Sequence, residues 1–137
     1  MATYIRKFCF ELLTPEATVF TADAVSAVIP AADGEIGILG GHAPLLTILG
    51  TGKLTVEGDS GEHHQFFVSG GFALVRDNAV SILAEQAQSL HKLDSAAATL
   101  ELSALEESLG TRPTPEQRES LAAARTKLRL AESKDKG

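Results

Sequence analysis

Apolar and polar positions alternate in short runs from Lys7 to about Glu85, and after that the period changes. Phe8, Phe10 and Leu12 alternate with Lys7, Cys9 and Glu11, the two-residue repeat of a half-buried strand. Thr14-Pro15-Glu16 ends that run. Val19-Phe20 and then Val25 to Ile29 read as the next strands, closed by Pro30, with Glu35 to Leu39 following a hairpin-type turn at Asp33-Gly34. Gly40-Gly41-His42-Ala43-Pro44 reads as a loop. Leu45 to Leu49, Lys53 to Glu57, Gln65 to Ser69, Phe72 to Arg76 and Val80 to Ala84 complete the series. Gly50-Thr51-Gly52, Gly58 to Gly61, Gly70-Gly71 and Asp77-Asn78 separate these runs. Turn signals this closely spaced predict a β-sandwich or flattened barrel of about eight to ten strands.

Near Leu93 the repeat becomes helical. Ala98, Leu102, Leu105 and Leu109 fall at i, i+4, i+7 and i+11, one helical stripe. Asp94 or Ser95 is placed to cap its start, and Gly110 to supply a left-handed residue at its end. Thr111-Arg112-Pro113 is the turn. Thr114-Pro115-Glu116-Gln117 then carries the signs of a helix start, with Thr at the N-cap, Pro at the first helical position and Gln placed to close a capping box. Leu121, Ala124, Leu128 and Ala131 make the second stripe. The fold class expected is α+β: a β-sandwich domain over residues 1–90, then an antiparallel helix-turn-helix over 91–137. The helical stripes are narrow and rich in alanine. At about 25 cal/mol per Å² buried, truncating one of these alanines changes little, so the hairpin is expected to be a weakly held arm that can leave the sandwich.

Composition narrows the function classes. The net charge of -6 argues against nucleic acid as a partner, because phosphates would be repelled. With a single cysteine no internal disulfide can form. Cys9, between Phe8 and Phe10, reads as a small buried hydrophobe. Met1 to Lys7 carries basic residues without the apolar stretch of a signal peptide. No apolar run approaches the roughly 20 residues that span a bilayer, so direct bilayer insertion is not expected. The chain is expected to be soluble and intracellular, and any work at a membrane needs a partner to hold it there. Charge is unevenly spread: residues 1–92 hold five basic against ten acidic residues, whereas residues 116–137 hold six basic against four.

Few residues suggest chemistry. The glycines between Gly34 and Gly41 lack the Lys-Ser/Thr of a phosphate loop and form no G-x-G-x-x-G, so they read as turn glycines. Ser69 precedes Gly70-Gly71, but Phe67 stands where a nucleophile elbow needs glycine. His42, His63, His64 and His91 lack metal spacing, and adjacent His63 and His64 point to opposite faces of a strand. No metal, no cofactor and no catalytic constellation is expected. Arg118, Arg125 and Arg129 lie at i, i+7 and i+11 on one face of the last helix. That stripe reads either as a solvated face, eased by Glu132 and by the acidic first helix, or as a surface for an acidic partner.

The string Gly34-Glu35-Ile36-Gly37-Ile38-Leu39-Gly40-Gly41-His42-Ala43-Pro44-Leu45-Leu46 resembles the signature of the epsilon subunit family of bacterial F-type ATP synthase, whose mitochondrial counterpart is called delta. Val68-Ser69-Gly70-Gly71-Phe72, Val80-Ser81-Ile82-Leu83-Ala84-Glu85 and Leu93-Asp94 follow in the family's order. The resemblance covers roughly residues 5–95 in sequence and the hairpin in architecture.

The resemblance implies a non-catalytic subunit, not an enzyme, seated on the central stalk. It would couple rotation of the gamma subunit to the proton-driven proteolipid ring in ATP synthesis. The implied partners are gamma, the proteolipid ring and, transiently through the arm, the alpha/beta catalytic hexamer. The implied location is peripheral, on the cytoplasmic face of the bacterial plasma membrane. In the family the loop matching Glu35 and Gly40, Gly41 and His42 faces the ring; without the resemblance it reads as a plain turn in which His42 satisfies local carbonyls. The family's arm moves between a folded state and one extended along gamma, where it blocks ATP hydrolysis and its basic residues meet an acidic segment of the catalytic beta subunit. Arg118, Arg125 and Arg129 match that role by position on the helix. Two departures stand out. Ala97 replaces the arginine with which some members bind ATP, so weak or no ATP binding is expected. Gly40 replaces a proline common in the family, which is expected to loosen the loop.

Two other classes stand beside this reading. One is a free-standing β-sandwich that binds a small ligand under a helical lid. The other is an enzyme of the double-stranded β-helix type, against which the histidine spacing speaks.

Overall fold

The computed structural model describes residues 6–136, so of the start noted above Met1 to Ile5 lie outside the described residues, while its basic pair, Arg6 and Lys7, lies within them. The chain divides after Gln88 into two compact units.

The first unit is built from seven strands: β1 (Phe8–Leu13), β2 (Thr18–Ala31), β3 (Gly34–Leu39), β4 (Leu45–Ile48), β5 (Gly52–Gly58), β6 (His63–Arg76) and β7 (Ala79–Ser89). They hydrogen-bond in the order β1-β7-β6-β5-β2-β3, with β4 on β6, and β1 also pairs with β2. The extra pairing closes β1, β7, β6, β5 and β2 into a ring, while β3 and β4 extend it from β2 and β6. This is the β-sandwich expected, reached with seven strands because two pairs of predicted runs fuse. Val19-Phe20 and Val25–Ile29 are one strand, and so are Gln65–Ser69 and Phe72–Arg76. Each fused strand has three neighbours and changes partners along its length: besides β5, β2 pairs with β1 through Ala24 and with β3 from Ser26 onward. Strand β6 pairs with β5 up to Val68 and with β4 from Phe72. Pro30 therefore does not end a strand; it lies inside β2, and its carbonyl accepts from the Gly50 amide at 2.7 Å. Gly70 and Gly71 do not form a turn but take positive φ within β6. A side chain on Gly71 would strike the Leu83 carbonyl, its Cβ only 1.9 Å away. The β2–β3 turn is Ala32-Asp33, with Gly34 already paired to Ala31.

Alternation decides the core. Phe8, Phe10 and Leu12 are buried, together with Leu54, Val56 and Val68 from the opposing strands. Phe20 bridges Phe10 and Phe66, with ring centroids 6.2 and 5.1 Å apart. Cys9, one residue out of phase with Phe8 and Phe10, is exposed rather than buried. The two-residue repeat outweighs its hydrophobicity, because its parity is that of Lys7 and Glu11.

The second unit begins at Ser89 with a short 3-10 turn, Leu90–Lys92, followed by α1 (Ser95–Ser108) and α2 (Pro115–Lys136). Asp94 is the N-cap of α1, its carboxylate accepting from the Ala96 amide at 3.0 Å. At the far end Gly110 is not the left-handed residue expected. Leu109 turns extended (φ -76, ψ 136) and ends the helix, while the Ser108 hydroxyl donates to the Leu105 carbonyl. The capping box of α2 forms in both directions. The Thr114 amide donates to Gln117 Oε1 at 2.8 Å, and the Gln117 amide donates to Thr114 Oγ1 at 3.1 Å. Of the predicted stripes, Ala98, Ala124 and Ala131 are buried and Leu102, Leu121 and Leu128 half-buried. Lys127 Nζ bonds Glu101 at 3.2 Å and ties α2 to α1.

Candidate functional site

The candidate residues fall into three places, two on the sandwich and one on the hairpin. On the sandwich, β3 is the strand that ends the pairing order, with β2 on one side. Glu35 sits near its start, across from Pro30, and is exposed. Among the described residues its carboxylate has no hydrogen bond or ion pair. Gly40, Gly41 and His42 follow the other end of the strand. At about 3.3 Å per residue, roughly 13 Å of strand separates Glu35 from Leu39. The structure thus does not bring Glu35 into one loop with the glycines; it puts the two groups at opposite ends of β3.

The Gly40–His42 loop is tightly placed. The His42 amide donates to the Leu39 carbonyl at 3.1 Å. Its ring Nδ1 lies 2.7 Å from the Ala43 carbonyl, the local satisfaction that a plain turn would give. Gly40 has a steric reason to be glycine. A Cβ there would lie 2.4 Å from the Arg6 carbonyl oxygen and 2.6 Å from Arg6 Cβ, so the loop backbone presses on the segment before β1. Any side chain, proline's included, would need that space. Gly41 has φ +81 and donates its amide to Asn78 Oδ1 at 3.0 Å. Asn78 Nδ2 in turn donates to the Lys7 carbonyl.

The second place was missed by the sequence reading. In the β4–β6 ladder Leu46 faces Leu74 and Ile48 faces Phe72. Directly opposed residues share a face, and here that face is open: Leu46 and Ile48 are each 68% exposed, Phe72 47% and Leu74 38%. Their sequence neighbours Ala73 and Val75 point into the core. The signal was available, because Leu45–Leu49 is apolar at nearly every position and Phe72–Val75 is apolar throughout. Runs apolar at both parities need cover on both faces.

On the hairpin, Arg118, Arg125 and Arg129 are all exposed, and none forms an ion pair among the described residues. Arg125 and Arg129 line a cleft of about 450 Å³ with Leu102, Leu128, Glu132 and Ser133. Arg118 lies apart from it. Ala97 is exposed on α1.

The remaining candidates for chemistry are engaged elsewhere. His63 lies 3.8 Å from Glu57, while His64 packs on the Phe20 ring at 4.6 Å, on the other face of β6. Ser69 shares a 2.9 Å hydrogen bond with Thr51.

Comparison with known proteins agrees with this arrangement. Residues 7–90 match the family described as ATP synthase, delta/epsilon chain, beta-sandwich domain. An ATP synthase epsilon chain of Synechococcus sp. (strain JA-2-3B'a(2-13)) is 39% identical over 107 residues, 78% of this chain and 77% of that protein. Among solved structures, a chain of the Euglena gracilis mitochondrial ATP synthase, in its OSCP/F1/c-ring part, superposes with a TM-score of 0.75 at 23% identity, covering 91% of this chain and 81% of that one. A chain of the Tetrahymena thermophila mitochondrial ATP synthase central stalk/c-ring does so with a TM-score of 0.64 at 18% identity, covering 96% and 98%. At those identities the two structures speak for the fold. The sequence match over most of the sandwich goes further: this chain belongs to the delta/epsilon chain family of ATP synthase.

Proposed function

We propose that this chain is a central-stalk subunit that seats its sandwich on gamma, turns β3 toward the proteolipid ring and so couples rotation to proton-driven ATP synthesis. As a member of its family it is a non-catalytic subunit of ATP synthase and a peripheral part of a membrane-bound complex. No helix among the described residues is long and apolar enough to cross a membrane, so its attachment runs through partner subunits. The site lies on the cytoplasmic face of a bacterial plasma membrane.

The observation that carries the reading is the open apolar face of β4 and β6. Leu46, Ile48, Phe72 and Leu74 form a contiguous uncharged patch, the composition of an interface core rather than of a solvated sheet. Gamma is its occupant. Strand β3 lies lengthwise along the ring, with the free Glu35 carboxylate at one end and the Gly40–His42 loop at the other, which reconciles their separation with a shared partner. Arg118, Arg125 and Arg129, unpaired among the described residues, meet acidic side chains of the catalytic hexamer when the arm extends. A hairpin joined by small alanine contacts suits a two-state element, because a modest difference in affinity shifts it. Membership in an ATP synthase family sets aside the free-standing ligand-binding module.

The test is reconstitution. Membranes whose ATP synthase lacks this chain should hydrolyse ATP with little proton pumping, and adding back the full chain should restore pumping. Full pumping without it would refute the proposal.

A further inference from the structure

We infer that Asn78 is the latch that holds the Gly40–His42 loop in place, which makes a residue of the β6–β7 turn a positioning residue for the ring contact. This rests on the ring-facing reading of that loop.

Asp77 and Asn78 form the two-residue turn between β6 and β7, with φ of 52° and 57°. Turns with both central residues at positive φ favour glycine at the second position, here occupied by Asn78. The backbone alone would be served better by glycine, so the side chain has another use. Both ends of its amide are engaged. Oδ1 accepts from the Gly41 amide at 3.0 Å, and Nδ2 donates to the Lys7 carbonyl. The backbone carbonyl of Asn78 accepts from the Cys9 amide at 3.2 Å. One partner is a donor and the other an acceptor, so the two bonds fix which way the amide points.

Three segments far apart in sequence therefore meet at one side chain: the loop after β3, the start of β1 and the β6–β7 turn. The loop rests on Arg6, where Gly40 has no room for a Cβ. Asn78 grips Lys7, the next residue, so it fastens both the loop and the surface beneath it. Apart from the His42 amide bond back to Leu39, the Gly41–Asn78 bond is what ties the loop down among the described residues. A loop held in its docking shape avoids the ordering cost of binding.

The test uses the full chain and the assembled synthase, with Asn78→Gly and Asn78→Asp. Glycine keeps the turn and removes the latch; aspartate keeps an acceptor for Gly41 but cannot donate to Lys7. Amide exchange by NMR should show Gly41 about tenfold faster in Asn78→Gly, the scale of one lost net hydrogen bond, and close to wild type in Asn78→Asp, with core amides such as Leu54 unchanged in both. In the assembled enzyme, ATP-driven proton pumping per ATP should fall in Asn78→Gly, as in His42→Ala. Unchanged Gly41 exchange in Asn78→Gly overturns the latch. Faster exchange with full pumping, where His42→Ala pumps poorly, overturns the positioning role alone. Full pumping in both variants overturns the ring-facing reading, and the positioning role with it.

Discussion

Ile48 lies directly across from Phe72 in the β4–β6 ladder, and both side chains turn away from the core. Exposed apolar residues set singly on a surface are ordinary. A cross-strand pair flanked by a second, Leu46 and Leu74, is the surface proposed above to receive gamma. Phe72→Ser should therefore leave stability within about 1 kcal/mol, as surface substitutions do, while weakening the complex with gamma by about tenfold or more. Denaturant unfolding of the chain and a binding titration with gamma check the two halves separately. A large loss of stability with unchanged affinity would make Phe72 a structural residue.

The opposite pattern is expected one layer down. Leu54 is fully buried between the strands of the sandwich. Leu54→Ala should cost about 2–5 kcal/mol, the loss of transfer energy plus the cavity left behind. Urea unfolding monitored by circular dichroism measures it.

The basic stripe makes a prediction about regulation. Arg125→Ala combined with Arg129→Ala removes two exposed cations without touching the buried alanines of the hairpin. The hairpin should stay folded, and ATP hydrolysis by the assembled enzyme should rise because the extended arm loses its hold. Unchanged hydrolysis would remove the stripe from the mechanism.

Ala97 predicts a failure to bind. The position that the family resemblance matches to a phosphate-binding arginine holds a methyl group here, exposed on α1. Isothermal titration of the full chain with ATP should give no saturable heat. Tight stoichiometric binding would show that Arg125 and Arg129 suffice without it.

Much of this architecture was legible because strong local patterns governed it. The two-residue repeat of Phe8, Phe10 and Leu12 made the strand legible, but Cys9 between them was misread as a buried hydrophobe, although the same repeat puts it on the outward face. The capping box at Thr114 and Gln117 was readable because its residue types and spacing leave few alternatives. Strand breaks were less legible. Pro30 and Gly70-Gly71 look like stops, yet each lies inside a long strand that passes from one neighbour to the next. A proline carbonyl can still accept a hydrogen bond, and a glycine pair at positive φ bends a strand without ending it. Gly110 was misjudged for a related reason: a glycine after a helix permits a left-handed cap, but Leu109 had already left the helix. In the candidate site, sequence supplied Glu35 and the Gly40–His42 loop. Their placement at opposite ends of one strand, and the grip of Asn78 on Gly41, depend on contacts 37 residues apart in sequence, which no local pattern encodes.

The central claim is that this sandwich docks on gamma through the face built by Leu46, Ile48, Phe72 and Leu74. Light scattering after size-exclusion chromatography of the full chain mixed with the gamma subunit of its own synthase tests it most directly. A one-to-one complex, lost when Phe72 and Ile48 are both changed to serine, is the predicted result. Separate elution of the two wild-type proteins, or a complex indifferent to those changes, would contradict it.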